Sequence, residues 1–517
     1  MKNRERLILA CLVLFLACSA SERPRTSVQN DPWSRGHSSR ERQLLELGTG
    51  PVHSALIEYF NNTGLEAHMR GYVERCSAIS RLFSIGRSVE GRDLWALEIS
   101  NRPGLEQAKP SFKYVANMHG DEPSGRQLLL ALAEWLCANH AADERAKRIV
   151  EDMHLFILPS MNPDGFERRQ RGNARQVDLN RDFPDPFERG SAGIVQPSGR
   201  EQPETLALMT WIRSRHFVGS ASLHEGALVA NYPWDGTADK GTHYSSAPDD
   251  AAFQHLAHVY ADAHAKMHAS HEFKGGITNG AHWYPLWGGM QDWNYIAGDC
   301  LELTLELAPN KWPPAEHLPG LFEDNLPAML ALPLVACFGG IRGFVREHDA
   351  KHGRLLGEAG SAAKGRPLGA TIHVSGINKT VSASSTFGDF YRPLAPGTYN
   401  VTAMMAGYLN KTVTVAVPAD GSGETVELFM ERAGLDALTN WSLARKFGPL
   451  REGTPGPVAF SEAVNARIVQ NVVFLMAGLA VLLLLRAVHH RFYAPRARQP
   501  IPGGLHSTPR RSPMRGA

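Results

Sequence analysis

Two histidines and a glutamate, far apart in the chain, are the residues whose types could do chemistry: His119 and Glu122 in NMHGDEPSGR, and His224 in SASLHEGALVANYPWD. Two imidazoles and one carboxylate leave the fourth position of a tetrahedral zinc ion open, which distinguishes a hydrolytic site from a closed structural one. With 22 histidines in the chain, about one His-x-x-Glu spacing is expected by chance. The pair alone therefore proves little, and its flanks decide. No cysteine competes for the metal, because no Cys-x-x-Cys spacing occurs.

The elements that must position these residues are legible as a pattern. Apolar runs at Phe112 to Val115, Leu155 to Leu158 and Ala221 to Leu223 predict short buried strands, alternating with helical stretches such as Gln127 to Asn139. That alternation implies an α/β fold with a mixed, mostly parallel sheet flanked by helices. Sites in such sheets gather at the carboxyl ends of strands, and His119 and His224 each follow a strand-like run. From Gly340 the texture changes to short strands such as ATIHVSG, GTYNVTAMM and TVTVAV, separated by Gly, Pro and Asn, as in a small β-sandwich.

The 517 residues make two or three domains the expectation, and the 43% hydrophobic content is that of a globular protein. Net charge of +2 hides an asymmetry: residues 1–20 carry +2, the seven arginines of residues 486–517 carry +7, and residues 21–485 are left with −7. An acidic body argues against nucleic acid and favours cationic ligands. MKNRER followed by LILACLVLFLAC reads as a cleaved signal peptide over 1–20, with a disordered lead-in over 21–50. Ile468 to Leu485, bounded by arginines, is long enough to cross a bilayer, and the basic 486–517 tail fits the cytoplasmic side. Residues 433–467 read as a stalk. This organisation places the body of a single-pass type I membrane protein outside the cell or in the secretory lumen. Five Asn-x-Ser/Thr sequons, at Asn61, Asn378, Asn400, Asn410 and Asn440, agree with that route. Without the signal pair, Cys76, Cys137, Cys300 and Cys337 remain, an even number that allows three disulfide pairings.

Seven motifs, SIGRSVEGRDLWALEIS, NMHGDEPSGRQLLL, PSMNPDGFE, VDLNRDFPD, SLHEGALVANYP, NGAHWYPLWGGMQDWNY and LELTLELAPNKWPP, follow one another in order. Together they resemble the zinc metallocarboxypeptidases, in particular the regulatory branch of carboxypeptidases D, M, N and E, over about Ser54 to Met430. The resemblance implies the metallocarboxypeptidase fold over residues 51–339, a transthyretin-like β-sandwich over 340–432, and one zinc ion held by His119, Glu122 and His224. Of the disulfide pairings it favours Cys76 with Cys137 and Cys300 with Cys337.

It also implies roles. Glu306 matches the catalytic glutamate, which finishes deprotonating the attacking water. Arg171 matches the arginine that stabilises the oxyanion, although Arg168, Arg169 and Arg175 lie close enough to slide into register. Asn180 and Arg181 match the pair that grips a free terminal carboxylate, and Tyr284 the tyrosine that closes over it. Asp178 fits the acceptor for the far N–H of His119. Asp235 sits where this branch keeps its specificity aspartate, with Asn231 and Gln291 at other pocket-lining positions. The implied activity is removal of C-terminal Lys or Arg from peptides and proteins. A catalytically silent binding protein on the same fold would have lost a ligand or the glutamate, and a carboxypeptidase of other specificity would differ at Asp235. Several positions depart from the family pattern: Asp121 stands for asparagine, Asp182 for asparagine, Glu225 for the glycine after the third ligand, and Ala308 and Pro309 for a paired cysteine motif of many relatives. Glu225 puts a carboxylate beside His224, where it could alter zinc affinity.

Overall fold

The computed structural model describes residues 50–187, 196–348 and 365–433. The signal peptide, membrane helix and tail expected above, the Asn440 sequon, and all but the edge residues Gly50 and Ala433 of the lead-in and stalk lie outside them.

An eight-stranded mixed sheet forms the body. Its strands are β1 (Ser80–Arg87), β2 (Asp93–Ile99), β3 (Ser111–Ala116), β4 (His154–Leu158), β5 (Phe217–His224), β6 (Ala227–Tyr232), β7 (Ile277–Asn279) and β8 (Leu301–Ala308), in the order β1-β2-β4-β3-β5-β8-β6-β7. The centre, β4-β3-β5-β8, is parallel, whereas β1, β2 and the β8-β6 contact are antiparallel. Every residue of β3, β4, β5 and β8 is buried, as expected for strands covered on both faces.

Helices cover both faces. Along β4, Leu155 and Ile157 enter one apolar cluster and Phe156 and Leu158 the other, so the alternation of the strand divides the core into two layers. The first layer holds α2 (Ser124–Asn139), α5 (Asp250–Ala263) and the long apolar α7 (Leu318–Phe338); the second holds α4 (Pro203–Ser214) and α6 (Met290–Gly298). The first layer also takes in α1 (Asn62–Arg75), which begins where Asn61 accepts the Gly64 N–H at 2.7 Å, and α3 (Glu144–Asp152), which begins at the cap Asp143. The α7 helix is long and apolar enough to cross a membrane, but most of it is buried in this core.

Cys76 and Cys137 form a disulfide that ties the end of α1 to α2. The pairing of Cys300 with Cys337 is not made: both are free and buried. The two thiols belong to opposite layers of the sheet, Cys337 with α7 and Cys300 with Phe156 and Phe217, where its Sγ faces Lys113 Nζ at 3.5 Å.

Beyond α7, two small sheets enclose their own apolar core. One contains β10 (Thr371–Val374), β11 (Thr380–Ser382), β13 (Gly397–Met404) and β14 (Lys411–Val417); the other contains β9 (Ile341–Glu347), β12 (Asp389–Arg392) and β15 (Glu424–Met430). A fully buried ion pair, Arg392 to Asp249 at 2.7 Å, joins β12 to the residue before α5.

Candidate metal centre

The centre is assembled at the carboxyl ends of the parallel strands. β3 runs into Asn117, whose φ of 56° turns the chain sharply. The Asn117 side chain then donates to the carbonyls of His119 (2.8 Å) and Glu122 (3.3 Å), and accepts from Ser160 and Arg126. At Gly120 a Cβ would lie 2.0 Å from the backbone of Gly165, so only glycine allows this approach. β5 ends on His224. Its neighbour β8 places Glu306 directly opposite in the register.

Three donor atoms converge. His119 Nδ1 lies 3.0 Å from Glu122 Oε2, His224 Nδ1 lies 2.9 Å from the same oxygen, and the two Nδ1 atoms are 3.1 Å apart. A tetrahedral zinc with bonds of about 2.0 to 2.1 Å sets its ligand atoms about 3.3 Å apart. The triangle matches that edge within a few tenths of an ångström, and two imidazole nitrogens meeting head-on have no good reason to do so without a shared cation. These are the three residues that form a buried metal-binding group among the described residues. Each imidazole is fixed from behind: His119 Nε2 lies 3.1 Å from Asp178 Oδ1, and His224 Nε2 lies 2.9 Å from Ser222 Oγ. With the proton on Nε2, both Nδ1 lone pairs face the centre. The donor set fits zinc.

A cleft of about 170 Å³ opens at the triangle and takes in Arg171, Asn180, Asn231, Asp235, Tyr284, Glu306 and Lys311. Arg171 donates through Nε to Asp178 Oδ2 (2.9 Å) and reaches Glu122 Oε1 (3.3 Å). Arg168 instead pairs with Glu90, and Arg169 lies over the Trp312 ring. Burial opposes ionisation of Asp178, yet the hydrogen bond to His119 and the charge of Arg171 hold its carboxyl well below the usual range. Burial pushes the Glu306 carboxyl up to about 7; the Glu122 charge adds to this, while His224, Lys311 and Arg171 oppose it. Its Oε2 is buried without a hydrogen-bond partner. A dication at the three donors would draw that value down.

Asp235 is 1% exposed. Its Oδ1 accepts from Asn231 Nδ2 (3.1 Å) and Gln291 Nε2 (3.0 Å), and no described residue donates to Oδ2. Asp292, also buried, accepts the backbone N–H groups of Asp235 and Gly236 and so fixes the turn. Burial raises the pKa of both carboxyls, and for Asp292 the charge of Asp235 adds to it. Asn180 Oδ1 accepts the Met290 N–H (2.9 Å). Arg181 is absent from the cleft wall, its guanidinium held by the Asn180 carbonyl at 2.9 Å. Tyr284 is 43% exposed at the mouth.

Sequence reasoning missed two participants. Ser222 shares a strand face with His224, and period-two alternation could have pointed to it. Lys311 reaches Glu122 Oε1 at 2.7 Å from a loop nearly two hundred residues away. Of the departures, Asp182 accepts the Gln202 N–H (2.6 Å), and Asp121 faces Lys311 (3.7 Å).

The zinc carboxypeptidase family model matches residues 65–328. Carboxypeptidase SOL1 of Arabidopsis thaliana is 51% identical over 70% of this chain and 71% of its own length. Human carboxypeptidase D is 40% identical over 72% of this chain, but the match spans only 27% of that protein. The catalytic chain of mouse carboxypeptidase N is 42% identical over 67% of this chain and 80% of its own length. The chain belongs to the zinc carboxypeptidase family, alongside relatives of the regulatory branch.

Proposed function

We propose that the chain hydrolyses the last peptide bond of peptides and proteins that end in Lys or Arg. Asp235 carries this reading: a buried carboxylate on the wall of the cleft, one oxygen bound by two amides and the other without a donor among the described residues. A cationic side chain entering the cleft would supply the missing partner.

A zinc ion held by His119, Glu122 and His224 would supply a Lewis acid for the scissile carbonyl. Glu306 takes a proton from the attacking water and returns it to the departing amine, so that a C–O bond forms as the C–N bond breaks. Its place on the cleft wall opposite His224, with Oε2 free of any hydrogen-bond partner among the described residues, suits both transfers. Arg171 directs N–H groups to the developing oxyanion. Asn180 and, after an inward swing, Arg181 hold the terminal carboxylate, and the exposed Tyr284 ring covers it.

The apolar N-terminus, the span at Ile468 to Leu485 and the sequons support action on the lumenal or extracellular side of a membrane, with residues 340–432 as a transthyretin-like support. The test is to incubate the protein, with and without a chelator, with peptides differing only in their last residue and to read products by mass. Preferential, chelator-sensitive release of Arg and Lys is expected. Equal release of Leu would overturn the specificity.

A further inference from the structure

Glu225 follows a metal donor, yet its carboxylate is not part of the metal-binding group. It is turned away. Oε1 accepts the N–H of Ser124, the first residue of α2, at 2.6 Å, and Oε2 accepts the N–H of Trp312 at 2.8 Å. The first contact reaches the turn that carries His119 and Glu122. The second reaches the loop that carries Lys311.

That loop needs a tie. Trp312 has φ of 52°, a conformation costly for a residue with a side chain. Its indole is stacked on Phe166 at 5.1 Å, but its backbone N–H is held by Glu225. Next to it, Lys311 Nζ grips Glu122 Oε1, while Glu122 Oε2 faces both imidazoles and accepts the Glu225 N–H at 3.2 Å. The two oxygens of Glu122 therefore have separate occupations.

We propose that Glu225 is a positioning residue of the metal centre: by locking the 309–313 loop to the start of α2, it keeps Lys311 on Glu122 Oε1 and so holds the Glu122 carboxylate with Oε2 toward the two imidazoles. The inference rests on the assignment of His119, Glu122 and His224 as the donors. It accounts for a carboxylate that the family pattern replaces with glycine.

The experiment measures zinc affinity of the full chain by competition with a chromogenic chelator, together with the melting temperature of the metal-free protein. Glu225→Gln presents an amide N–H to one of the two N–H donors, and loss of a group that orients a ligand typically costs about 10- to 100-fold in metal affinity. A weakening of that size is expected. Lys311→Met, a change at a partly exposed side chain, should give a similar shift, and the double variant should fall no further, because both act through one contact. Unchanged zinc affinity in Glu225→Gln, with only a lower melting temperature, would mean a merely structural carboxylate and would overturn the proposal. So would additive shifts. If Glu225→Gln does not fold, Lys311→Met decides alone, and normal affinity in that variant overturns it. The unaltered protein and His224→Ala test the donors themselves: if these two bind zinc equally, the donor assignment fails, which is a separate result from failure of Glu225.

Discussion

Asp235→Asn should exchange specificity for stability, and the structure sets the size of the effect. The Oδ1 position faces two amide donors, Asn231 Nδ2 and Gln291 Nε2. An asparagine must keep its oxygen there, because an NH₂ would meet N–H groups head-on. Its own NH₂ is then forced into the Oδ2 position and confronts the incoming Lys or Arg with another donor. Breaking one side of a buried ion pair costs about 3 to 5 kcal/mol, which at about 1.4 kcal/mol per decade is a fall of at least ~100-fold in kcat/KM for C-terminal Arg. Leu-terminated peptides should lose little or gain. The folded protein gives an independent check. Burial raises the Asp235 pKa, so its charge destabilises the native state at neutral pH, and the neutral variant should melt no lower than the original. Steady-state kinetics on Arg, Lys and Leu peptides, with a melting curve, would decide. Equal losses on Arg and Leu, or a marked drop in melting temperature, would show that Asp235 supports the fold and would refute the reasoning.

Other outcomes follow from the same geometry. Glu306→Gln should retain zinc, measured by elemental analysis, while kcat falls by at least ~100-fold; near-normal turnover would remove Glu306 as the base. Burial lowers the His264 pKa from 6.5 to about 4, and its Nδ1 accepts the N–H groups of Lys266 and Met267. This group is neutral when folded, so its contribution is present above pH 6.5 and lost as pH falls from 6.5 toward 4, with a slope of up to about 1.4 kcal/mol per pH unit. Denaturant titrations of His264→Asn should show a flatter dependence in that window, and an unchanged slope would count against the assignment. Arg392→Met strands the buried Asp249 carboxylate and should cost about 3 to 5 kcal/mol in chemical denaturation, with a loss under 1 kcal/mol telling against a tightly paired contact.

The sequence told more about the catalytic end of the sheet than about what steadies it. His119 and His224 were legible through the motifs that flank them, and each follows an apolar run that forms a strand, β3 and β5. The mixed, mostly parallel sheet was foreseen; which strands pair antiparallel was not, since residue pattern along a single strand does not name its neighbour. Lys311 and the contacts of Glu225 stayed hidden for another reason. Glu225 is bonded to Ser124 and Trp312, 101 and 87 residues away, and no local pattern records such a bond. The Cys300 and Cys337 pairing, which the resemblance favoured, is not made because the two thiols lie on opposite sides of the sheet, a placement no local pattern records.

The strand β8 shows why residue type alone cannot assign a base. Glu302 and Glu306 lie four apart, on one face of one strand, and both are buried. Glu302 accepts from Ser220 Oγ (2.6 Å) and Asn294 Nδ2 (2.7 Å), with Lys113 Nζ at 3.9 Å. All three contacts fall on Oε2, and Oε1 is buried without a partner among the described residues, so position rather than a free oxygen tells the two acids apart. Glu306 reaches the open end of the strand instead, opposite His224, on the wall of the cleft, where Glu302 does not reach. Environment separates two like carboxyls, one set among the strand's own partners and one at the cleft, where the proposed proton carrier must sit. The register between β5 and β8 makes the difference, because it brings one carboxyl level with the metal donor and leaves the other four residues back among its partners.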